Sequence, residues 1–184
     1  EFKKASCGVL GVWGDGNLGY ITALFLKEIC HDSEIVVFGK HMENLNLFSF
    51  ADKVYMINDV PEDFKIDHGF ECVGSAASQS AIEQIINMIN PQGTINLFGV
   101  SEYPIPINTR MVLEKGLTLQ GNSRSEREDF EGVVNILQNN PNLFDYLSKL
   151  ITNVCEIKSI DDLKKSFDRD YISDFGKTVL KWEI

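Results

Sequence analysis

The chain has 184 residues, 43% hydrophobic and 24% charged, enough apolar material for one cored domain and an appendage. Its 17 Lys and Arg against 27 Asp and Glu leave a net charge of −10 with the acids dispersed, which argues against an electrostatic nucleic-acid binder. No apolar run approaches the roughly 20 residues that cross a bilayer, and residues 1–6 carry neither a secretory pattern nor an initiator Met, so the start reads as trimmed.

In chain order, residues 7–13 read as a first strand, followed by a glycine-rich turn and a helix whose apolar stripe is Leu18, Ile21, Phe25 and Ile29. Strands are predicted at 34–38, 53–57 and 68–73. A helix carrying Ile82, Ile85, Ile86 and Ile89 comes next, closed by Asn90 before Pro91 and then Gly93. Further strands are expected at 94–98 and 117–120. Another helix bears Phe130, Val133, Val134 and Leu137, with Ser125 and Glu128 as its capping box. These stripes read as core. Several strand runs are unbroken by polar residues, as in parallel strands covered on both faces. Six strands alternating with helices give the fold class: α/β, a Rossmann doubly wound six-stranded parallel sheet. Beyond Pro141 the rhythm changes to a strand near 151–154, a helix capped by Ser159 and a last strand at 177–182, which does not read as another strand–helix unit. The division expected is therefore 1–140 and 141–184.

Chemistry concentrates in GVWGDGNLGY, where Gly14, Gly16 and Gly19 fill GxGxxG between a buried strand and a helix. Gly14 permits the tight turn, Gly16 lets backbone amides approach a pyrophosphate, and Gly19 lets the helix pack closely on the sheet. The diphosphate would lie over the helix N-terminus. About 20 residues on, where an NAD site carries an acid for the ribose 2′-hydroxyl, stand Gly39, Lys40 and His41. A small residue and a cation leave room and attraction for a 2′-phosphate, hence NADP. Cys72, Val73 and Gly74 end the fourth strand and Phe98, Gly99, Val100 and Ser101 end the fifth, so both loops leave the carboxyl edge of the sheet and should line the nicotinamide half. Cys72, with no His positioned to activate it, is assigned to packing.

Other features carry no chemistry. Gly176, Lys177 and Thr178 lack the earlier glycine of a phosphate loop, because Tyr171 stands there. His31, His41 and His68 have no metal-ligand spacing, and no pair of carboxylates suggests acid–base work, so neither catalytic nor metal residues are assigned. Cys7, Cys30, Cys72 and Cys155 form no CxxC pair, which fits a reducing cytoplasm.

GVWGDGNLGY, HGFECVG, INPQGTINLFGV and GKTVLKWEI together resemble the cofactor-binding half of the medium-chain, zinc-type alcohol dehydrogenases, over essentially the whole chain. GDGNLGY with SEYPIPINTRMVLEKGLTLQG is similar to the branch of ribulose-5-phosphate reductases that supply ribitol phosphate for teichoic acid or capsule synthesis. The resemblance implies NADPH-dependent reduction of D-ribulose 5-phosphate, with catalytic zinc held by a Cys and a His-Glu pair of an N-terminal domain. No His-Glu pair occurs here. The expectation is a cofactor-binding fragment, inactive alone, whose tail from 141 returns to an absent catalytic domain. The resemblance carries Gly14, Gly16, Asn17, Leu18 and Gly19 to the pyrophosphate and Gly39 and Lys40 to the adenosine ribose. It carries Val73, Gly74, Gly99 and Val100 to the nicotinamide, Asn122 and Ser123 to another cofactor-lining loop, and Lys177 to the pyrophosphate. It further implies a homodimer through the edge strand at 117–120, and a cytidylyltransferase of the same pathway as a partner. Three alternatives stay open: the cofactor domain of another polyol or alcohol dehydrogenase, a non-catalytic dinucleotide sensor, and a methyltransferase.

Overall fold

The computed structural model describes residues 8–172 and 175–182, in two compact units, Glu1–Asn122 and Ser123–Ile184. The boundary falls ahead of the expected limit at 140, so the helix with the Phe130 stripe belongs to the second unit.

In the first unit the elements run β1 (Val9–Trp13), α1 (Asn17–Ile29), β2 (Glu34–Gly39), α2 (Met42–Leu45), β3 (Lys53–Met56), β4 (Ile66–Glu71), α3 (Ser78–Met88), β5 (Ile89–Leu97), α4 (Thr109–Lys115) and β6 (Thr118–Gly121). Among the described residues the six strands form one parallel sheet in the order β3-β2-β1-β4-β5-β6, the doubly wound arrangement expected. The order reverses between β1 and β4, where Trp13 lies opposite both Phe38 and Glu71. Cys7, predicted to begin the first strand, lies outside the described residues. The fourth strand ends at Glu71, which puts Cys72 and Val73 in the following loop.

One core joins Trp13, Phe38, Ile66 and Ile95 of the sheet to Ile82, Ile85 and Ile86 of α3. The α1 stripe needs correction. The buried residues are Gly19, Tyr20, Ala23, Leu24 and Leu26, whereas Leu18, Ile21 and Ile29 are exposed. This helix is apolar on most of its circumference, so periodicity alone offered two faces, and the one with Gly19 and Ala23 permits the closer approach. Tyr20 meets Phe48 and Phe50 edge-on, each at 5.1 Å between ring centroids.

The end of α3 also differs. Its last residue is Met88, and Asn90, Pro91 and Gly93 form the irregular start of β5. Between Ile66 and His68 the β4 strand advances two residues while its partner on β5 advances from Ile89 to Thr94. The slack is anchored by Asp67, whose carboxylate accepts from the Asn90 side chain at 2.9 Å and the Val9 amide at 2.8 Å.

The second unit contains α5 (Arg127–Asn139), α6 (Leu143–Leu147), β7 (Ile151–Ile157), α7 (Ile160–Ile172) and β8 (Lys177–Trp182). The α5 capping box uses Glu126 and Asp129 rather than Ser125 and Glu128: the pattern is right but shifted by one. Phe130, Val133 and Val134 are exposed, not core. The Ser159 cap on α7 is as expected, with its hydroxyl accepting from the Asp162 amide at 3.2 Å. β7 and β8 pair in parallel, so the tail is a strand–helix–strand unit after all. Its strands, ITNVCEI and KTVLKW, mix polar with apolar residues and are largely exposed, unlike the unbroken runs of the first sheet. No helix among the described residues is long and apolar enough to cross a membrane.

Candidate functional site

A crevice of about 500 Å³ opens at the carboxyl ends of β1, β2 and β4, the switch point where doubly wound sheets bind ligands. Its walls include Trp13, Gly14, Gly16, Gly39, Lys40 and Val73, so five of the expected residues converge. At the turn, Gly14 has φ +130° and donates its amide to the Phe38 carbonyl at 2.9 Å. A Cβ on Gly14 would meet the Cys72 carbonyl oxygen at 2.8 Å, and one on Gly19 would run into the Gly14 carbonyl. Helix and turn therefore approach each other as only glycine allows. Gly16 is the N-cap of α1, with no side-chain cap and no acid in the first turn that Asn17, Leu18 and Gly19 build. Such a helix start suits an anion.

The end of β2 differs from the expectation of open space beside Gly39. The space beside Gly39 is not vacant: a Cβ there would come within 2.6 Å of Asp15 Cβ. The Asp15 carboxylate reaches across from the glycine turn, and its Oδ2 accepts from the Lys40 amide at 2.9 Å and the His41 amide at 2.6 Å. His41 Nδ1 lies 3.1 Å from the same oxygen. An acid thus stands at the end of β2 in space, although none stands there in sequence.

A second carboxylate organises the other half. Glu71, the last residue of β4, is 1% exposed. Its Oε1 accepts from the amides of Val73 at 2.8 Å and Gly74 at 3.0 Å and from the Ser78 hydroxyl at 2.9 Å, while Oε2 accepts from the Gly99 amide at 3.1 Å. The Ser75 amide donates to the Val100 carbonyl at 2.8 Å. Both loops expected to line the nicotinamide half are therefore held by one buried carboxylate, at a position that the sequence pattern presents only as part of a strand. A carboxylate inside HGFECVG, immediately before a Gly-containing loop, was its signal.

Cys72 is buried, and desolvation pushes its thiol up to about 12 despite a contact with the Thr22 hydroxyl at 3.5 Å. It is a packing residue, not a nucleophile. Along the crevice floor the Trp13 indole stacks on Phe38 with centroids 4.0 Å apart and donates to Gln84 Oε1 at 2.8 Å. Gln84 in turn donates to the Ile57 carbonyl at 2.8 Å. Of the remaining expected residues, Asn122 ends the first unit, Ser123 opens the second, and Lys177 is the first residue of β8. Among the described residues no three His, Cys, Asp or Glu side chains converge to hold a metal ion.

Residues 34–139 match the zinc-binding dehydrogenase family. A ribulose-5-phosphate reductase of Bacillus spizizenii is 52% identical over 174 residues, covering 95% of this chain and 51% of its own length. Ribulose-5-phosphate reductase 1 of Staphylococcus aureus is 52% identical over 185 residues, covering 99% and 54%. The crystal structure of S. aureus TarJ in complex with NADPH superposes with a TM-score of 0.96 at 50% identity, covering all of this chain and 58% of that one. The chain spans about half the length of the curated relatives it matches. With its sheet order, its glycine turn and its matched residues, the chain belongs to the zinc-binding dehydrogenase family.

Proposed function

We propose that this chain is the NADP-binding part of a zinc-dependent reductase that converts D-ribulose 5-phosphate to D-ribitol 5-phosphate for teichoic acid or capsule synthesis. The observation that carries the reading is the crevice at the switch point, built by the same glycine turn in a chain that superposes on an NADPH-bound relative. Gly14, Gly16 and the first turn of α1, Asn17, Leu18 and Gly19, take the pyrophosphate. Lys40, beside Gly39 at the end of β2, supplies the cation for the 2′-phosphate. Val73, Gly74, Gly99 and Val100 flank the nicotinamide, which supplies hydride when bound. Asn122, the last residue of the first unit, extends the cofactor lining. Zinc, which the resemblance places in the catalytic half of the whole enzyme, would supply Lewis-acid polarisation of the ketone. A cytoplasmic homodimer that joins through β6 and works beside a cytidylyltransferase completes the proposal.

Calorimetric titration of the chain with NADPH and NADH at equal salt tests it. NADPH should bind more tightly, and Lys40→Ala should shrink that preference by about tenfold, the worth of one phosphate ion pair at a partly exposed site. Equal or absent binding of both dinucleotides refutes the assignment.

A further inference from the structure

We propose that Asp15 is a specificity-determining positioning residue, holding the loop after β2 so that Lys40 meets the cofactor's 2′-phosphate. The inference rests on the NADP reading above and goes beyond it, because the determinant lies inside the glycine turn, 25 residues from the loop it shapes.

Three observations converge on Asp15. Its Oδ2 gathers two successive backbone amides, Lys40 N and His41 N, into a small anion-binding concavity that the protein fills with its own carboxylate. It takes the amide of Lys40 rather than the ammonium. The loop is thereby fixed while the Lys40 side chain stays exposed at the rim of the crevice. Finally, the position that a side chain at residue 39 would occupy is filled by Asp15 itself, so Gly39 serves the carboxylate and not the phosphate. An acid on β2 would bond the ribose and exclude a 2′-phosphate. Here the acid's lone pairs at Oδ2 are spent on the loop, and the cation beside it is left to read the phosphate.

The test uses Asp15→Ala and Asp15→Asn in the 184-residue chain, with NADPH and NADH titrated by calorimetry and folding checked by circular dichroism. Asp15→Ala should weaken NADPH by about tenfold, the worth of the charge-assisted bonds that order the loop, and NADH far less. Asp15→Asn keeps an oxygen for the amides and should restore the NADPH preference. Combining Asp15→Ala with Lys40→Ala should cost little more than either alone, since both act through the same ammonium. Gly39→Ala, which crowds the carboxylate out, should copy Asp15→Ala and serves if that variant unfolds. NADPH binding by Asp15→Ala that equals or exceeds the parent's would overturn the inference and leave the NADP reading intact, as would fully additive losses. A parent chain indifferent to the 2′-phosphate would overturn the NADP reading first.

Discussion

Replacing Glu71 by Gln changes one buried atom and no volume, so its effect can be worked from the bonds. Gln offers one acceptor oxygen where the carboxylate offers two. That oxygen stays on the side of Val73 N, Gly74 N and Ser78 Oγ, where three donors converge at 2.8–3.0 Å. The new NH₂ then faces the Gly99 amide, a donor 3.1 Å from the replaced oxygen. Gly99 N keeps the Glu71 backbone carbonyl at 3.0 Å, so no backbone amide is orphaned. The cost is one lost charge-assisted bond, a buried donor–donor contact and weaker bonds to the other three, about 2–3 kcal/mol together. For a chain of this length that lowers the melting temperature by roughly 5–10 °C. Thermal unfolding followed by circular dichroism measures it, and hydrogen exchange at Val73, Gly74 and Gly99 localises it. A variant that melts with the parent and keeps full protection at those amides would show that the loops hold themselves, and the role given to Glu71 would fall.

Gly19→Ala should abolish NADPH binding and lower stability by about 3 kcal/mol or more, since its Cβ enters the Gly14 carbonyl and neither backbone can yield without opening the turn; calorimetry and denaturant melts check both. Cys72 should escape iodoacetamide at pH 8 in the native chain and react in urea, as read by peptide mass mapping; labelling at the rate of an exposed thiol would contradict its burial. Its folded pKa, about 12, exceeds the ordinary 9.0, so the native state keeps the proton longer, and its contribution to stability falls as pH rises from about 9 towards 12. Lys115→Met should cost about 1–2 kcal/mol in a denaturant melt, because the ammonium bonds the Ile86 carbonyl at 2.6 Å and the Ile89 carbonyl at 2.8 Å where α3 ends.

The strands nearest the crevice were legible because burial on both faces leaves unbroken apolar runs such as Ile35–Val36–Val37–Phe38, and because glycine spacing is itself a stereochemical statement. Boundaries failed where tertiary pairing overrode local signals. Asn90, Pro91 and Gly93 look like a helix stop, yet the offset pairing of β5 with β4 absorbs them as slack. In the tail the strands at 151–154 and 177–182 and the helix between them were legible, but their parallel pairing was not, because both strands mix polar residues among the apolar ones and expose much of their surface. At the site the convergence of Gly14, Gly16, Gly39 and Lys40 on one crevice was legible, whereas the reach of Asp15 and Glu71 was not. Asp15 works through the Lys40 amide 25 residues away, and Glu71 ties the nearby amides of Val73 and Gly74 to that of Gly99, 28 residues on; amides carry no residue identity. Rules that count residues from the glycine motif therefore missed an acid that folding delivers to the same place.

The stacked indole on the crevice floor has an optical consequence. The chain contains two tryptophans: Trp13, 1% exposed, walls the crevice, and Trp182, 56% exposed, ends the last strand. Iodide will quench the second and spare the first. A reduced nicotinamide seated in the crevice absorbs where indole emits, so Trp13 emission will pass to the dinucleotide and reappear at its longer wavelength. One cuvette then follows the dinucleotide by its transferred emission and the final strand by iodide, without any label added to the protein.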